Sequence, residues 1–293
     1  MQRILLTGAS GFLGSALALH LSEAGHQLSL LLRPNSRTDR LKEREASFEI
    51  RRFHTDAEIR KFVAHLQPDV VIHTACAYGR NGESDLEMLD ANVRFGLNIF
   101  QGLRDNEKPA TFINTGTVLP PDVSSYALTK AQFVQWGRAV ATGCPALRFI
   151  NVRLQHMYGP GDDRSKFTTH VLHACQRNEP ELKLTAGEQE RDFIYIDDVV
   201  SAYTTLLMHC DQIEPVTDID VGSGAAPSIR SFVEKAHALT ASDTKLLFGA
   251  LPYRTNEAMH CQADISRITA LGWKPTYDLT AGLLKTIELE SSK

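Results

Sequence analysis

Short runs of apolar residues alternate with longer amphipathic segments through the first half of the chain. Several of the short runs are apolar throughout, as in Val70-Val71-Ile72, which is typical of strands buried on both faces of a parallel sheet. The regular alternation of strand and helix predicts βαβ units, and therefore an α/β fold with a doubly wound parallel sheet. The predicted strands span Arg3–Thr7, Gln27–Leu32, Phe48–Phe53, Val70–Thr74, Thr111–Thr115 and Pro145–Val152. The predicted helices between them span Phe12–Ala24, Ala57–Leu66, Asp85–Asp105 and Ser125–Thr142.

The regular alternation ends near residue 153. A segment rich in glycine and proline follows at residues 158–161, and a predicted helix, Ile196–His209, and strand, Asp218–Val221, return the chain to the sheet. The tail, Phe248–Lys293, has the pattern of a small α-rich cap. We therefore predict a sheet domain and a smaller, discontinuous C-terminal domain, spanning 1–152 plus roughly 192–222 and roughly 153–191 plus 223–293.

Composition and charge narrow the class of protein. The 293 residues carry a formal net charge of −4 and are 43% hydrophobic, as in globular proteins. The lack of a basic excess argues against a nucleic-acid partner. Since no apolar run approaches the roughly 20 residues that cross a bilayer, we expect no membrane partner. The five cysteines are scattered without metal-ligand spacing, which favours a reduced, cytoplasmic protein without structural disulfides or a metal site.

The first strand runs directly into a glycine-rich turn at residues 7–14. Gly8 suits the tight turn off the strand, Gly11 lets a pyrophosphate approach the backbone, and Gly14 allows the helix to pack closely on the sheet. The N-terminal N–H groups of that helix would then face the phosphates. A glycine-rich turn without a ligand is the alternative, but the order of strand, turn and helix favours a dinucleotide site.

The end of the second strand bears on which dinucleotide binds. NAD sites usually place an acid there to hold the ribose 2′-hydroxyl, but Leu32 is followed by Arg33, and the first acid is Asp39. Arg33, with Ser36 or Arg37, suits a 2′-phosphate because arginine matches phosphate geometry. We predict NADP as the cofactor, with NAD as the alternative. A solvated basic loop would also explain these residues.

Tyr126 and Lys130 stand four residues apart on a predicted helix, so they share one face. An ammonium about 5 Å from the phenol, at an effective dielectric near 20, would lower the phenol pKa by about two units. Such a phenol can exchange a proton with a carbonyl or alcohol oxygen, and Thr117 could donate a hydrogen bond to that oxygen. We predict Thr117, Tyr126 and Lys130 as catalytic residues. A helix-packing tyrosine and a surface lysine are the alternative.

These motifs resemble those of the extended short-chain dehydrogenase/reductase family, in particular its nucleotide-sugar epimerases, dehydratases and reductases. The similarity covers essentially the whole chain and is most specific at the glycine-rich turn and at residues 71–75, 191–199 and 271–275. It implies a Rossmann dinucleotide-binding domain, a C-terminal domain that binds a nucleotide-sugar substrate, and a catalytic trio at Thr117, Tyr126 and Lys130. It also implies a homodimer formed through the helices at 85–105 and 125–142.

The resemblance extends the set of predicted site residues. Asn92 matches a family asparagine that helps to place the catalytic lysine through water, and Arg191 and Arg254 match arginines that hold the substrate pyrophosphate. The full set of predicted cofactor-binding residues is Gly8, Ser10, Gly11, Phe12, Leu13, Gly14, Arg33, Ser36, Arg37, Asp56, Thr74, Ala75, Asn92, Tyr126, Lys130 and Leu154. The predicted substrate-binding residues are Tyr78, Thr117, His156, Lys166, Arg191 and Arg254.

Departures from the family pattern narrow the chemistry. The 4,6-dehydratases follow their catalytic threonine with Asp-Glu, which act as acid and base, whereas this chain has Val118 and Leu119. His156 stands where the family has a substrate-contacting asparagine, and it is either a substrate contact or a packed loop histidine. Residues 113–120 and 158–163 look like those of the CDP-abequose and CDP-paratose synthases, which are reductases of nucleotide-linked 4-keto-6-deoxy sugars.

The resemblance therefore implies an NADPH-dependent 4-ketoreductase acting on a nucleoside-diphosphate 4-keto-deoxyhexose, linked to CDP or dTDP. One alternative is an NAD-dependent C4 epimerase that uses the same trio. The other is a non-catalytic dinucleotide sensor, against which the joint presence of the three catalytic residues argues.

Overall fold

The computed structural model describes residues 1–80, 82–105, 108–254 and 257–291. The chain forms two compact units. Unit 1 consists of Met1–Arg153 and Tyr203–Ile219, and unit 2 consists of Leu154–Ala202 and Asp220–Lys293. Each unit is therefore built from two separate stretches of sequence.

A seven-stranded sheet forms the centre of unit 1, and its order confirms the predicted doubly wound α/β fold. Its strands are β1 (Arg3–Thr7), β2 (Gln27–Leu32), β3 (Glu49–Arg52), β4 (Val70–His73), β5 (Ala110–Thr115), β6 (Leu147–Leu154) and β11 (Val216–Val221). They are ordered β11-β6-β5-β4-β1-β2-β3, and the pairs from β6 to β3 are parallel. From β1 the chain adds β2 and β3 on one side of the sheet, and it then crosses to add β4, β5 and β6 on the other side. This change of side places a topological switch point at the carboxyl ends of β1 and β4.

The helices that cover this sheet match the predicted segments within two residues at each end. They are α1 (Phe12–Glu23), α2 (Asp56–Leu66), α3 (Asp85–Leu89), α4 (Phe95–Arg104), α5 (Ser125–Thr142) and α7 (Ile196–Met208), of which only the part from Tyr203 onward belongs to unit 1. One difference is a π-helical turn, Asp90–Arg94, between α3 and α4, which the sequence pattern predicts as one continuous helix. Short 3₁₀ helices occur at Asp39–Ser47, Pro121–Val123 and Cys210–Gln212.

Phenylalanine rings fill the layer between the sheet and helices α4 and α5. Phe100 stacks on Phe112 with ring centroids 4.3 Å apart. Phe133 and Phe149 complete the cluster, and all four rings are buried. A Cβ at position 137 would lie 2.4 Å from the Phe149 ring, so only glycine fits there. The close packing of α5 on the sheet fixes the helix that carries Tyr126 and Lys130.

Unit 2 combines short parallel strand pairs with helices. The strands are β7 (His156–Tyr158), β8 (Glu181–Lys183), β9 (Glu190–Arg191), β10 (Phe193–Tyr195), β12 (Lys245–Leu247) and β13 (His260–Cys261), which pair as β7–β10, β8–β12 and β9–β13. The helices are α6 (Phe167–Gln176), α8 (Ile229–Leu239), α9 (Ser266–Ala270) and α10 (Leu279–Ser291). Of the helices in the described ranges, none combines the length and apolarity that crossing a membrane requires.

A buried carboxylate ties the strands of unit 2 together. Asp192, between β9 and β10, is fully buried, and its oxygens accept hydrogen bonds from the backbone N–H groups of Ser223, Gly224 and Ala263 and from the Ser223 hydroxyl. Gly222 is required beside it because a Cβ there would lie 2.5 Å from the carboxylate. The contacts fix the position of Arg191, the preceding residue.

Candidate active site

The glycine-rich turn lies at the switch point, between β1 and α1. Gly8 has a φ of +72°, and a Cβ there would lie 2.5 Å from the Thr74 hydroxyl oxygen and 2.6 Å from the Ala75 nitrogen. A Cβ on Gly14 would lie 2.1 Å from the Gly8 carbonyl oxygen. The turn is therefore packed against the end of β4, and it brings together Gly8, Gly14, Thr74 and Ala75.

The residues of this turn fit a dinucleotide pyrophosphate. Gly11 is the N-cap of α1 and has extended backbone, and the first-turn N–H groups that follow it, at Phe12 and Leu13, lie at the positive end of the helix. The Thr74 hydroxyl donates to the Thr7 carbonyl at 2.8 Å, which holds the end of β4 beside the turn. An anion can therefore approach backbone donors at a place where a side chain would obstruct it.

The loop after β2 contains the residues predicted to select the cofactor. Arg33 is exposed, and the Ser36 N–H donates to the Arg33 carbonyl at 3.1 Å. Arg37, by contrast, forms an ion pair with Asp39 at 2.5 Å. Sequence reasoning missed Arg52, whose guanidinium approaches this loop from β3. Arg52 lies far from this loop in sequence, and only the pairing of β3 with β2 brings the two together.

The carboxylate of Asp56, a predicted cofactor contact, is engaged elsewhere in unit 1. Asp56 begins α2 and forms an ion pair with Arg94 at 2.6 Å. Ser10, in the glycine-rich turn, and Leu154, at the end of β6, are partly exposed. The roles of these three residues toward the cofactor stay predictions.

The predicted catalytic side chains meet at the start of α5. Ser124 caps this helix by accepting a hydrogen bond from the Ala127 N–H at 3.2 Å, so Tyr126 lies in the first turn. The Thr117 hydroxyl lies close enough to the Tyr126 phenol to lower its pKa, and it accepts a hydrogen bond from the Leu119 N–H at 3.2 Å. Lys130, one turn further along α5, is 2% exposed. The structure thus brings Thr117 close to Tyr126 and buries Lys130 one turn further along the same helix.

The electrostatics of the trio correct one expectation. Burial raises the pKa of Tyr126, and the Cys76 thiol adds to that rise, whereas the Thr117 hydrogen bond and Arg80 oppose it. Burial also lowers the pKa of Lys130. The prediction that the lysine lowers the phenol pKa by about two units is therefore wrong for this arrangement. Burial outweighs the groups that lower the phenol pKa, so the net pKa of Tyr126 lies above its usual value.

Residues that sequence reasoning missed follow β4. The rings of Tyr78, a predicted substrate contact, and Tyr126 lie 4.9 Å apart between centroids. Arg80 lies over the Tyr78 ring, 5.4 Å from its centroid. Cys76 acts electrostatically on both Tyr126 and Lys130. Cys76 and Arg80 lie just beyond the carboxyl end of β4. Because α/β sheets bind ligands at that edge, their position in the sequence could have identified them.

Asn92 lies in the π-helical turn, and its side chain is fully engaged. Its Oδ1 accepts from the Ala77 N–H at 2.7 Å, and its Nδ2 donates to the Ala77 carbonyl and to the Thr129 hydroxyl, each at 2.9 Å. Thr129 precedes Lys130 on α5. Asn92 therefore holds the loop after β4 and the lysine's helix by direct hydrogen bonds.

His73, the last residue of β4, is a buried polar residue that sequence reasoning did not single out. Its Nδ1 and the Thr7 hydroxyl are 2.8 Å apart, while its Nε2 is buried without a hydrogen-bond partner among the described residues. The rings of Phe95, Phe112 and Phe133 surround it. Burial, with a smaller effect of Lys130, lowers the pKa of His73 to about 3.

Unit 2 carries the remaining predicted substrate contacts. Arg191 is nearly buried and forms an ion pair with Glu257 at 2.5 Å, and Lys166 forms one with Asp162 at 2.9 Å. Burial, with Arg191 and Lys166 nearby, lowers the pKa of His156 to about 4. Within the described ranges its buried Nδ1 lacks a hydrogen-bond partner.

The other predicted pyrophosphate arginine, Arg254, is exposed. Residues 255 and 256, which follow it, lie outside the described residues. The structure thus clusters His156, Lys166 and Arg191 electrostatically, and it places Arg254 at the surface of unit 2.

Known proteins resemble this chain along its whole length. The NAD dependent epimerase/dehydratase family matches residues 4–222. A CDP-abequose synthase from Salmonella typhimurium is 31% identical, covering 96% of this chain and 96% of its own. A dTDP-4-dehydro-6-deoxyglucose reductase from Escherichia coli is 28% identical, covering 97% and 96%. A solved structure of UDP-glucose-4-epimerase from Stenotrophomonas maltophila, with bound NAD and formylated UDP-arabinopyranose, has a TM-score of 0.87 at 18% identity, covering 100% of this chain and 98% of that one.

The parallel sheet, the glycine-rich turn at its switch point and these relatives define an NAD(P)-dependent enzyme of the oxidoreductase type. The chain belongs to the NAD dependent epimerase/dehydratase family.

Proposed function

We propose that this enzyme reduces the 4-keto group of a nucleoside-diphosphate 4-keto-deoxyhexose, linked to CDP or dTDP, with NADPH. The single observation that carries the proposal is the approach of the Thr117 hydroxyl to the Tyr126 phenol at the start of α5, with buried Lys130 on the same helix. The substrate class is supported by the similarity to a CDP-abequose synthase and to a dTDP-4-dehydro-6-deoxyglucose reductase.

Unit 1 would bind the dinucleotide, and unit 2 would bind the nucleotide sugar. When bound, the reduced nicotinamide supplies a hydride to the C4 carbonyl carbon. The Tyr126 phenol donates its proton to the carbonyl oxygen, so the carbonyl becomes a secondary alcohol. Thr117, whose hydroxyl approaches the phenol, would help to orient it, and Lys130 would stabilise the phenolate that remains. Arg191 and Arg254 would hold the substrate diphosphate.

The protonated phenol of Tyr126 suits the proton donor that reduction requires. A phenol with its usual pKa of about 10 is protonated at neutral pH, and burial raises the pKa of Tyr126 further, so the group starts in the state that donates a proton to a carbonyl. A C4 epimerase must first remove a proton from the sugar hydroxyl, and for that step it needs the phenolate. The fold shared with UDP-glucose-4-epimerase supports the epimerase as the second candidate.

The choice of NADPH rests on the loop after β2. Leu32 is followed by exposed Arg33 in place of an acid, and Arg33 suits a 2′-phosphate. Arg33→Ala should therefore raise the KM for NADPH more than the KM for NADH. Equal affinity of the intact enzyme for both cofactors would contradict this choice.

A panel of CDP- and dTDP-linked 4-keto-6-deoxyhexoses tests the proposed reaction. We expect loss of the reduced-nicotinamide absorbance with one or more of them, and a product that carries a hydroxyl at C4. Interconversion of C4 epimers without net consumption of cofactor would instead identify the epimerase. NADPH binding without turnover of any panel member would favour the sensor.

A further inference from the structure

The guanidinium of Arg52 collects the carbonyl groups of the loop that follows β2. Its Nη1 lies 3.0 Å from the carbonyl oxygen of Arg33, 2.9 Å from that of Pro34 and 2.9 Å from that of Ser36. Arg52 is the last residue of β3, where it pairs in register with Leu32, the last residue of β2. One side chain therefore contacts three carbonyl groups of the loop, and the pairing of β3 with β2 fixes the position of its backbone.

These contacts determine what the loop presents outward. A carbonyl oxygen repels an anion, so a loop that turned these three oxygens toward a phosphate would bind it poorly. The oxygens are directed at Arg52, and the turn is closed by the hydrogen bond from the Ser36 N–H to the Arg33 carbonyl. The Arg33 side chain is exposed and that of Ser36 partly exposed, so a guanidinium and a hydroxyl remain accessible to an anion. Both are groups that bind phosphate oxygens well.

The other arginine of the loop contributes less to such a face. Arg37 is strongly exposed and pairs with Asp39, which Lys42 also contacts at 3.1 Å. Its charge is thus partly balanced by a neighbour. Arg33 and the arrangement that Arg52 imposes on it remain the main source of anion affinity in this loop.

We propose that Arg52 is a positioning residue, which shapes residues 33–36 into a binding site for the 2′-phosphate of an NADP-type dinucleotide. The inference rests on the proposed preference for NADPH and identifies how the loop achieves it. It does not require Arg52 to contact the phosphate.

Calorimetric titration with adenosine 2′,5′-bisphosphate and with 5′-ADP tests the inference without any catalytic turnover. For Arg52→Ala we expect affinity for the 2′,5′-bisphosphate to fall by about tenfold or more, while affinity for 5′-ADP changes by less than about twofold. Arg52→Lys, which keeps the charge and the donors, should retain most of the affinity for the bisphosphate.

Arg51→Ala is the matched control, because Arg51 is exposed on the same strand and its removal deletes the same charge one residue away. An equal loss in Arg51→Ala and Arg52→Ala would overturn the inference in favour of a general field effect. An equal loss for both ligands in Arg52→Ala would overturn it in favour of a structural role. If Arg52→Ala does not fold, Arg52→Gln provides the same comparison. Equal binding of both ligands by the unchanged protein would instead contradict the proposed NADPH preference.

Discussion

The Thr117 hydroxyl approaches the phenol of Tyr126, a residue in the first turn of α5. Its effect on the phenol pKa opposes the rise that burial causes. The proposed reaction depends on Tyr126 as the proton donor.

Tyr126→Phe removes only this hydroxyl, so we expect kcat to fall by about 10²–10⁴-fold, as is usual when a positioned general acid is lost. Thr117→Val should have a smaller effect, because it removes one neutral hydrogen bond. Steady-state kinetics, with cofactor affinity measured separately by titration, checks both expectations. A decrease below about tenfold for Tyr126→Phe would show that the proton comes from another group.

Lys130→Met should also slow turnover. The ammonium is buried, and its removal leaves the phenolate of the product state without a stabilising charge. The apolar methionine fills a similar volume, so the thermal midpoint should change little while kcat falls. Unchanged kcat in a folded Lys130→Met enzyme would remove the lysine from the mechanism.

Val118 and Leu119 stand where sugar dehydratases have an acid and a base. We therefore predict that the enzyme does not remove water from sugars. Val118 and Leu119 cannot transfer protons, and Leu119 contributes its backbone N–H to the Thr117 hydroxyl at 3.2 Å. Incubation with NAD and an NDP-glucose should yield no 4-keto-6-deoxy product by mass spectrometry. Formation of that product at a rate comparable to ketoreduction would refute the proposed chemistry.

Exposed apolar side chains on two helices support the predicted homodimer. Leu86 on α3 is 73% exposed, and Leu128 and Trp136 on α5 are 45% and 52% exposed. Because large apolar groups rarely stay in water together, we expect light scattering to give the mass of two 32.5 kDa chains. Leu128→Glu/Trp136→Glu should give one chain. Leu284→Glu, at a similarly exposed leucine of α10, is the control, and a monomeric unchanged protein would contradict the prediction.

Buried His73 predicts a loss of stability in acid. Its folded-state pKa is lowered to about 3, whereas the unfolded chain takes up a proton near its usual value of about 6.5. The unfolded state therefore binds more protons between these values, and the free energy of unfolding falls as pH decreases from about 6.5 toward about 3.

His73→Leu should remove that part of the dependence. Relative to the unchanged protein, its free energy of unfolding should rise by up to about 1.4 kcal/mol for each pH unit below 6. Denaturant titrations at several pH values measure the difference, and exposed His54→Leu serves as the control. Parallel curves for His73→Leu and the unchanged protein would show that His73 is not responsible.

The first half of the sequence predicts the strands and helices of the sheet well. Buried strands appear there as short apolar runs, and the helices as longer amphipathic segments. The strands from β1 to β6 begin and end within two residues of their predicted positions. The strands β7 and β9, with three and two residues, are too short to show a period, so the architecture of unit 2 could not be predicted in detail.

In the candidate site, too, features formed by residues close in sequence could be predicted, whereas contacts between distant residues could not. The glycine-rich turn and the Tyr126/Lys130 spacing are local in sequence, and the pattern identifies them. The contacts of Arg52 with the loop after β2, and of Asn92 with Ala77 and Thr129, join residues far apart in the chain. The phenol pKa depends on burial, which spacing alone does not reveal.

The edge strand β11 has a consequence for biosynthesis. The neighbouring strand β6 ends at Leu154, but β11, which covers its open edge, begins only at Val216. While the ribosome adds the residues between them, the nascent sheet exposes a row of unpaired backbone groups, which is the usual template for aggregation. Slow synthesis or an arrest between these two strands should therefore make newly made chains depend on chaperones, even though the finished protein has this edge covered.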